Sequence, residues 1–350
     1  MFQLFFRSFN TSVRNTLSLG VTKVHELRKV QRTSGGTFFV CLPKSWADRN
    51  GLQKGGLVDV SETVDGALML DTRFGAEPTL RSAILEPGPY LGRQIIAKYL
   101  LGFDIIRVEG KDRIGFDIRD SVKTTVRNLI GLEIVEEDHS GIVLQCLLEP
   151  SGFRPEKILR RGYSITAGMY RDVINAFVEG DLQLAKSVIA RDDESNRLYF
   201  LLVRILRTII QNPSLSEKLG VSPIDCLDYR LAASLVEAIG DDCVRAAGKI
   251  MELRGTKLDR KLSKLFLNLQ TVGFEAHDKA LDAFLSGDIK VAESVRNVRS
   301  NVEKEFADIE GLARSQSLDF VPQILAVASF LRQIYEHSVD ISDLAVPKRD

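Results

Sequence analysis

The sequence predicts a multidomain, mainly α chain: a small amino-terminal β domain, a small α/β module, then two tandem three-helix bundles. Two observations carry this. The apolar period changes twice, from short alternating runs (residues 24–72) to a mixed stretch (Pro78 to Pro150) to a spacing of three and four from Pro155 almost to the end. Within the last region Ala176–Val188 (AFVEGDLQLAKSV) recurs 107 residues later as Ala283–Val295 (AFLSGDIKVAESV), an internal duplication. With 350 residues, 44% hydrophobic and 27% charged, the chain is long enough for two or three folded domains.

Residues 1–22 carry Arg7 and Arg14, several Ser and Thr and no acid, a superficial likeness to an organellar transit peptide. We read them as a disordered extension or an overcalled start, outside the fold.

Residues 23–75 read as four short strands, His25 to Arg32, Thr37 to Leu42, Leu57 to Thr63 and Ala67 to Asp71, with one helical turn after Leu42-Pro43-Lys44. A unit of about fifty residues has too little core to stand alone, so an intertwined homodimer is expected. The formal net charge of zero hides an asymmetry. Between residues 21 and 60, Lys23, Arg28, Lys29, Arg32, Lys44, Arg49 and Lys54 face only Glu26, Asp48 and Asp59, roughly +4.

Residues 76–152 read as helix (Arg93 to Leu101), strand (Asp104 to Glu109), helix (Asp117 to Ile130) and two strands (Glu133 to Glu137, Ile142 to Leu148), a small α/β linker module. It has no P-loop and no G-x-G-x-x-G, so nucleotide binding has no local support. Residues 153–256 and 257–346 form the two helical repeats. Gly180-Asp181 ends one helix and caps the next, Asn212-Pro213 stops the second, and Ser222-Pro223 opens the third. The stripe Leu198, Leu201, Leu202, Ile205, Ile209 reads as helix core.

Several function classes are disfavoured. No apolar stretch reaches the length of a membrane span; even Leu198 to Ile210 is broken by Arg204 and Arg207. Cys41, Cys146, Cys226 and Cys243 form no C-x-x-C pair, which suggests a reducing, cytoplasmic setting. No nucleophile elbow or Cys/His constellation appears, so the chain is not expected to be an enzyme. His25, His139, His277 and His337 are scattered singletons, and only His337 sits beside an acid on a helix face of interest.

These residues carry a resemblance. The duplicated Ala-Phe-x-x-Gly-Asp junction, the Arg191–Leu198 segment and Glu237-Ala238-Ile239-Gly240-Asp241 resemble the PhoU family of phosphate-uptake regulators. The block Arg28 to Trp46, a basic strand turning through Ser34-Gly35-Gly36 into an apolar strand ending Leu-Pro-Lys, resembles the SpoVT/AbrB-type swapped-hairpin domain. The order of the two looks like the architecture of archaeal-type phosphate-uptake regulators.

The resemblance implies a DNA-binding transcriptional regulator of phosphate uptake, homodimeric through its swapped hairpin, that touches operator DNA through Lys23, Arg28, Lys29, Arg32 and Lys44. Members that bind DNA often have further arginines after the Gly turn and in the short helix, where this chain reads Thr37-Phe38-Phe39 and Ala47-Asp48, and Gly56 stands where an acid is common. The alternative it implies is a PhoU-type accessory protein that regulates a phosphate transporter subunit or sensor kinase by contact, the amino-terminal domain only joining two chains. The PhoU family also places Glu/Asp-x-x-x-Asp pairs on neighbouring helices, where carboxylates four apart share a face and can converge on a metal. Glu237 with Asp241 matches fully and Asp192 with Asn196 in part, which implies a transition-metal ion (iron, zinc or manganese). In the second repeat the pairs read Arg299 with Glu303 and Arg332 with Glu336, which points to ion pairs instead.

Overall fold

The computed structural model describes residues 26–62, 66–72 and 80–347. Residues 1–22, Lys23 and His25 lie outside them. The chain divides into two compact units, residues 1–79 and 80–350.

In the first unit, β1 (Gln31–Arg32) and β2 (Phe38–Phe39) form an antiparallel pair, followed by helix α1 (Lys44–Arg49) and a second antiparallel pair, β3 (Asp59–Glu62) with β4 (Leu68–Asp71). The turn of the first hairpin is closed by Thr33 N–H to Thr37 O at 2.9 Å and Gly36 N–H to Thr33 O at 3.0 Å. The first two strands are far shorter than the alternation predicts. The ladder holds only Gln31 opposite Phe39 and Arg32 opposite Phe38, and among the described residues no further strand joins the pair. None of the described residues of this unit is buried.

The second unit begins with an α/β layer: β5 (Ser82–Leu85), α2 (Leu91–Leu100), β6 (Ile105–Glu109), α3 (Phe116–Arg127), β7 (Leu132–Glu137) and β8 (Gly141–Cys146). The strand order is β5-β6-β8-β7, with β5 and β6 parallel and the other pairs antiparallel. Leu85, Ile106, Val108, Ile142 and Leu144 alternate onto the face covered by α2 and α3. β5 corrects the sequence reading, which started this module with a helix. Four residues of alternation, Ser-Ala-Ile-Leu, are too few to stand out in the sequence, and pairing with β6 is what makes them a strand.

The rest is helical: α4 (Pro155–Glu179), α5 (Leu182–Gln211), α6 (Pro213–Leu219), α7 (Asp225–Glu252), α8 (Arg260–Ser286), α9 (Ile289–Arg296), α10 (Arg299–Ala313) and α11 (Val321–Ser342). Chain termination and capping follow the residues. Gly180 closes α4 at φ +67°, and a Cβ there would stand 2.6 Å from Gly255 O, so both the backbone angle and the space require glycine. Asp181 then caps α5 by accepting from the amides of Gln183 and Leu184 at 2.9 and 3.0 Å. The copy repeats the device, with Gly287 at φ +70° and Asp288 accepting from Lys290 and Val291. Asn212-Pro213 does more than stop α5: Asn212 Oδ1 accepts from Leu215 N–H and Pro213 fills the first position of α6. Before α7, Ser222 and Asp225 form a reciprocal capping box, Ser222 N–H to Asp225 Oδ2 at 2.9 Å and Asp225 N–H to Ser222 Oγ at 3.2 Å.

One continuous core runs through both repeats, from Ile158 and Tyr170 through Phe177, Leu202 and Phe266 to Tyr335 and Ile341. The stripe Leu198, Leu201, Leu202, Ile205, Ile209 is buried in it. The middle helix differs between copies: α5 is unbroken, whereas its counterpart is split at Asn297-Val298 into α9 and α10. Tyr335, fully buried on α11, donates its hydroxyl to Val295 O at 3.1 Å, with Arg296 O at 3.3 Å, the carbonyls at the break. The equivalent position on α7 is Gly240, which leaves the α5 ladder undisturbed.

Candidate functional site

α5 and α7 bring the acids of the first repeat onto facing surfaces. Asp192 and Asn196, one turn apart on α5, are joined by Asn196 Nδ2–H to Asp192 Oδ2 at 2.8 Å. The other oxygen, Asp192 Oδ1, is buried and has no hydrogen-bond partner among the described residues. It lies over Gly240, 3.7 Å from where a Cβ would stand. Burial, then the nearby Asp241 carboxylate, pushes the Asp192 carboxyl above the ordinary range. Glu237 is raised in the same way, by burial first and then by Asp241 and Asp192. The three carboxylates therefore repel one another across the helix interface.

Of these three acids, Asp241 has an ion-pair partner. Arg245 donates to Asp241 Oδ2 at 3.0 Å and also to Asp242, a carboxylate only 1% exposed. Asp242 in turn sits 3.4 Å from His337 Nε2 on α11, so a chain of charged and polar groups runs from Asp241 to the second repeat. Arg230 lies over the Tyr199 ring at 4.8 Å.

The corresponding face of the second repeat carries crossed ion pairs: Arg299 Nη2 to Glu336 Oε2 at 2.8 Å and Arg332 Nε to Glu303 Oε1 at 2.9 Å. By the duplication, Arg299 stands at the position of Asp192, Glu303 at Asn196, Arg332 at Glu237 and Glu336 at Asp241. The copy that keeps its acids leaves Asp192 and Glu237 without an ion pair among the described residues, while the other copy pairs each of its acids with an arginine.

Of the sequence-derived metal residues, the structure places Asp192, Asn196, Glu237 and Asp241 on one interface but does not converge them. Among the described residues no three His, Cys, Asp or Glu side chains are grouped so as to hold a metal ion. The groove beside Glu237, lined by Ile158, Ser195, Leu198, Leu202 and Val236, encloses about 20 Å³, room for a water and not for an organic ligand. A larger cavity of about 520 Å³ lies at the β6–β8 end of the sheet, with Arg107, Glu109, Glu136, Glu137 and Asp138 in its lining.

The proposed nucleic-acid contacts are all in the first unit. Arg28, Lys29, Arg32 and Lys44 are exposed. Arg28 pairs with Glu26, and Arg32 lies over the Phe38 ring at 5.3 Å. Lys23 lies outside the described residues. In the same unit Leu27, Val30, Phe38, Leu57, Val60 and Leu68 are each more than half exposed.

Sequence reasoning missed two groups. Arg204, read only as an interruption of an apolar run, is 2% exposed and binds the α/β layer to the helices. A cation inside the stripe Leu201, Leu202, Ile205 was the available signal. Arg245, which links Asp241 to Asp242, carried no such mark.

Residues 159–250, most of the first repeat, match the family model described as PhoU domain. Among solved structures the chain is similar to PhoU from Pseudomonas aeruginosa, at 19% identity and a TM-score of 0.49, with 55% of this chain and 93% of that chain covered. It is also similar to the phosphate transport system regulatory protein PhoU from Streptococcus pneumoniae, at 15% identity and a TM-score of 0.47, covering 55% of this chain and 91% of that one. No curated protein matches.

Proposed function

We propose that this chain is a homodimeric transcriptional regulator of phosphate uptake and phosphate homeostasis, working in the cytoplasm and not as an enzyme. The observation that carries the phosphate reading is the PhoU-domain match over residues 159–250. No helix among the described residues is long and apolar enough to cross a membrane.

The first unit supports the dimer and DNA parts of the reading. A unit with no buried residue among those described and six widely exposed apolar side chains does not stand alone, and a second copy with the same apolar strands is the simplest cover. Pairing two copies would double Arg28, Lys29, Arg32 and Lys44, a set suited to phosphates. In a mobility-shift assay against its own promoter and phosphate-transport promoters, binding should weaken steeply with salt, and Arg28→Glu with Arg32→Glu should abolish it while the dimer persists. Wild-type protein that binds no better than the double variant at low salt removes DNA from the reading. It would leave the accessory protein, in which the helical half docks on a transporter subunit or sensor kinase.

The reading extends to a cation at the first repeat. The buried, unpartnered Asp192 Oδ1, Glu237, which has no ion pair among the described residues, and Asp241, whose partner Arg245 is exposed, suit iron, zinc or manganese, with Asn196 as a neutral oxygen donor, once the side chains turn toward one another. Elemental analysis of protein purified without chelator should find metal that Glu237→Ala removes; metal content indifferent to that change excludes the site.

A further inference from the structure

One end of the helical bundle gathers cations, several of which have no acid partner among the described residues. The α4–α5 turn at Gly180 abuts Gly255 in the α7–α8 loop, and Gln316, in the α10–α11 loop, donates to Asp259 at the start of α8 at 3.0 Å. Three loops therefore meet there. Residues 249–264 hold six cations, Lys249, Arg254, Lys257, Arg260, Lys261 and Lys264, against two acids, Glu252 and Asp259. Lys249 pairs with Glu252, and Lys257 with Glu179. Asp259 is committed to its own helix, accepting from the amides of Lys261 and Leu262. Arg254, Arg260, Lys261 and Lys264 are exposed and have no ion-pair partner among the described residues. Exposed Arg314 adds to them from the adjoining loop, where Glu310 and Asp319 are the nearest acids in sequence.

The same end carries an apolar tip. Leu318, in the loop held by Gln316, is 88% exposed, and Leu267, two turns into α8, is 39% exposed. The α/β layer is fastened to the far half of α5 through Arg204 and Gln211, so it does not cover this end.

We propose that this end of the bundle binds an anionic phospholipid surface, the cations meeting headgroup phosphates and Leu318 entering the headgroup boundary. Cations flanking an exposed leucine are what a charged bilayer accepts, whereas a phosphodiester backbone gives Leu318 nothing to bury against. The proposal does not depend on the amino-terminal unit binding DNA, and it would bring a phosphate-uptake regulator to the membrane without a spanning helix.

The test is co-sedimentation of the full chain with phosphatidylcholine vesicles and with vesicles rich in phosphatidylglycerol. Binding is expected to the anionic vesicles only, and raised salt should remove it. Each cation contributes about fivefold, so Arg260→Glu with Lys261→Glu and Lys264→Glu should weaken partitioning at least about 100-fold. Leu318→Ser should weaken it by about tenfold without changing the salt dependence. Arg154→Glu with Lys157→Glu, at the opposite end of α4, should not matter. If the triple reversal fails to fold, the triple change to Gln replaces it. Equal binding to both vesicles, or anionic binding indifferent to the three charges, overturns the proposal. So does an effect of the charges on duplex DNA together with no effect of Leu318→Ser on vesicles, which would assign the patch to nucleic acid.

Discussion

Arg204 on α5 donates to the main-chain carbonyl of Tyr99 on α2 at 2.7 Å, while its guanidinium lies 5.0 Å from the centre of the Tyr99 ring. The same side chain donates to Phe103 O at 2.9 Å and reaches Asp104 Oδ1 at 3.4 Å. One buried cation thus takes up the carbonyls left at the end of α2 and a carboxylate at the entry to β6. At the surface Arg81 repeats the tie, donating to Leu101 O at 2.9 Å and Gln211 Oε1 at 2.7 Å.

Arg204→Met should therefore cost about 3 kcal/mol or more, because two carbonyls and Asp104 lose their buried partner. Arg204→Lys should not restore the loss, since an ammonium cannot fork to three acceptors in these directions. Denaturant melts of the two variants check this, and a cost near zero for either means that water substitutes for the guanidinium.

The acidic face of the first repeat should destabilise the fold at neutral pH. Asp192 and Glu237 have carboxyls raised above their unfolded values, so folding is penalised as pH rises through those unfolded values and the penalty is complete above the folded ones. Asp192→Asn with Glu237→Gln should gain a few tenths of a kcal/mol at neutral pH, after allowance for solvent screening, and nothing in acid. Thermal melts across pH would show it, and a loss of stability at neutral pH would contradict the repulsion.

His277 has the opposite sign. Wholly buried and stacked on Tyr163 at a ring separation of 4.0 Å, it is pushed by burial from 6.5 down to about 3. The unfolded chain takes up its proton first, so stability is intact above pH 6.5 and is lost as pH falls toward about 3. By about pH 5 the loss should reach about 2 kcal/mol. His277→Gln should flatten this limb of the stability profile whatever it costs at neutral pH; an unchanged slope would assign the acid limb to other groups.

The crossed pairs of the second repeat lend themselves to a double-mutant cycle. Arg332→Ala and Glu303→Ala should couple by about 0.5 kcal/mol, the value of a half-exposed pair. Arg332→Glu, which restores the acid of the first repeat, should cost more than Arg332→Ala because it sets two carboxylates against each other.

What the sequence could show depended on whether the cause was local. The Gly-Asp junctions were legible because glycine at a left-handed cap and aspartate at the next N-terminus act within a few residues. The exchange of acids for Arg299 and Arg332 was legible as a change of charge, and an acid on each helix was visible, but the crossing was not: Arg299 bonds Glu336 on another helix, not Glu303 four residues on. The cation at Arg204 showed in its apolar run, but its partner and that of Tyr335 were opaque, lying 105 and 40 residues away, because nothing in such a run announces that a carbonyl elsewhere lacks a donor.

The Tyr335 hydroxyl also bears on how the two copies breathe. The carbonyls it engages, those of Val295 and Arg296, are the ones that the amides of Arg299 and Ser300 would take in an unbroken helix. Their counterparts, the amides of Asp192 and Asp193, sit inside the continuous α5. Amide hydrogen exchange should run faster at 299 and 300 than at 192 and 193, with lower opening free energies in the second repeat. A duplicated module has in this way acquired one stiff half and one hinged half, and Tyr335→Gly is the exchange that should bring their protection closer together.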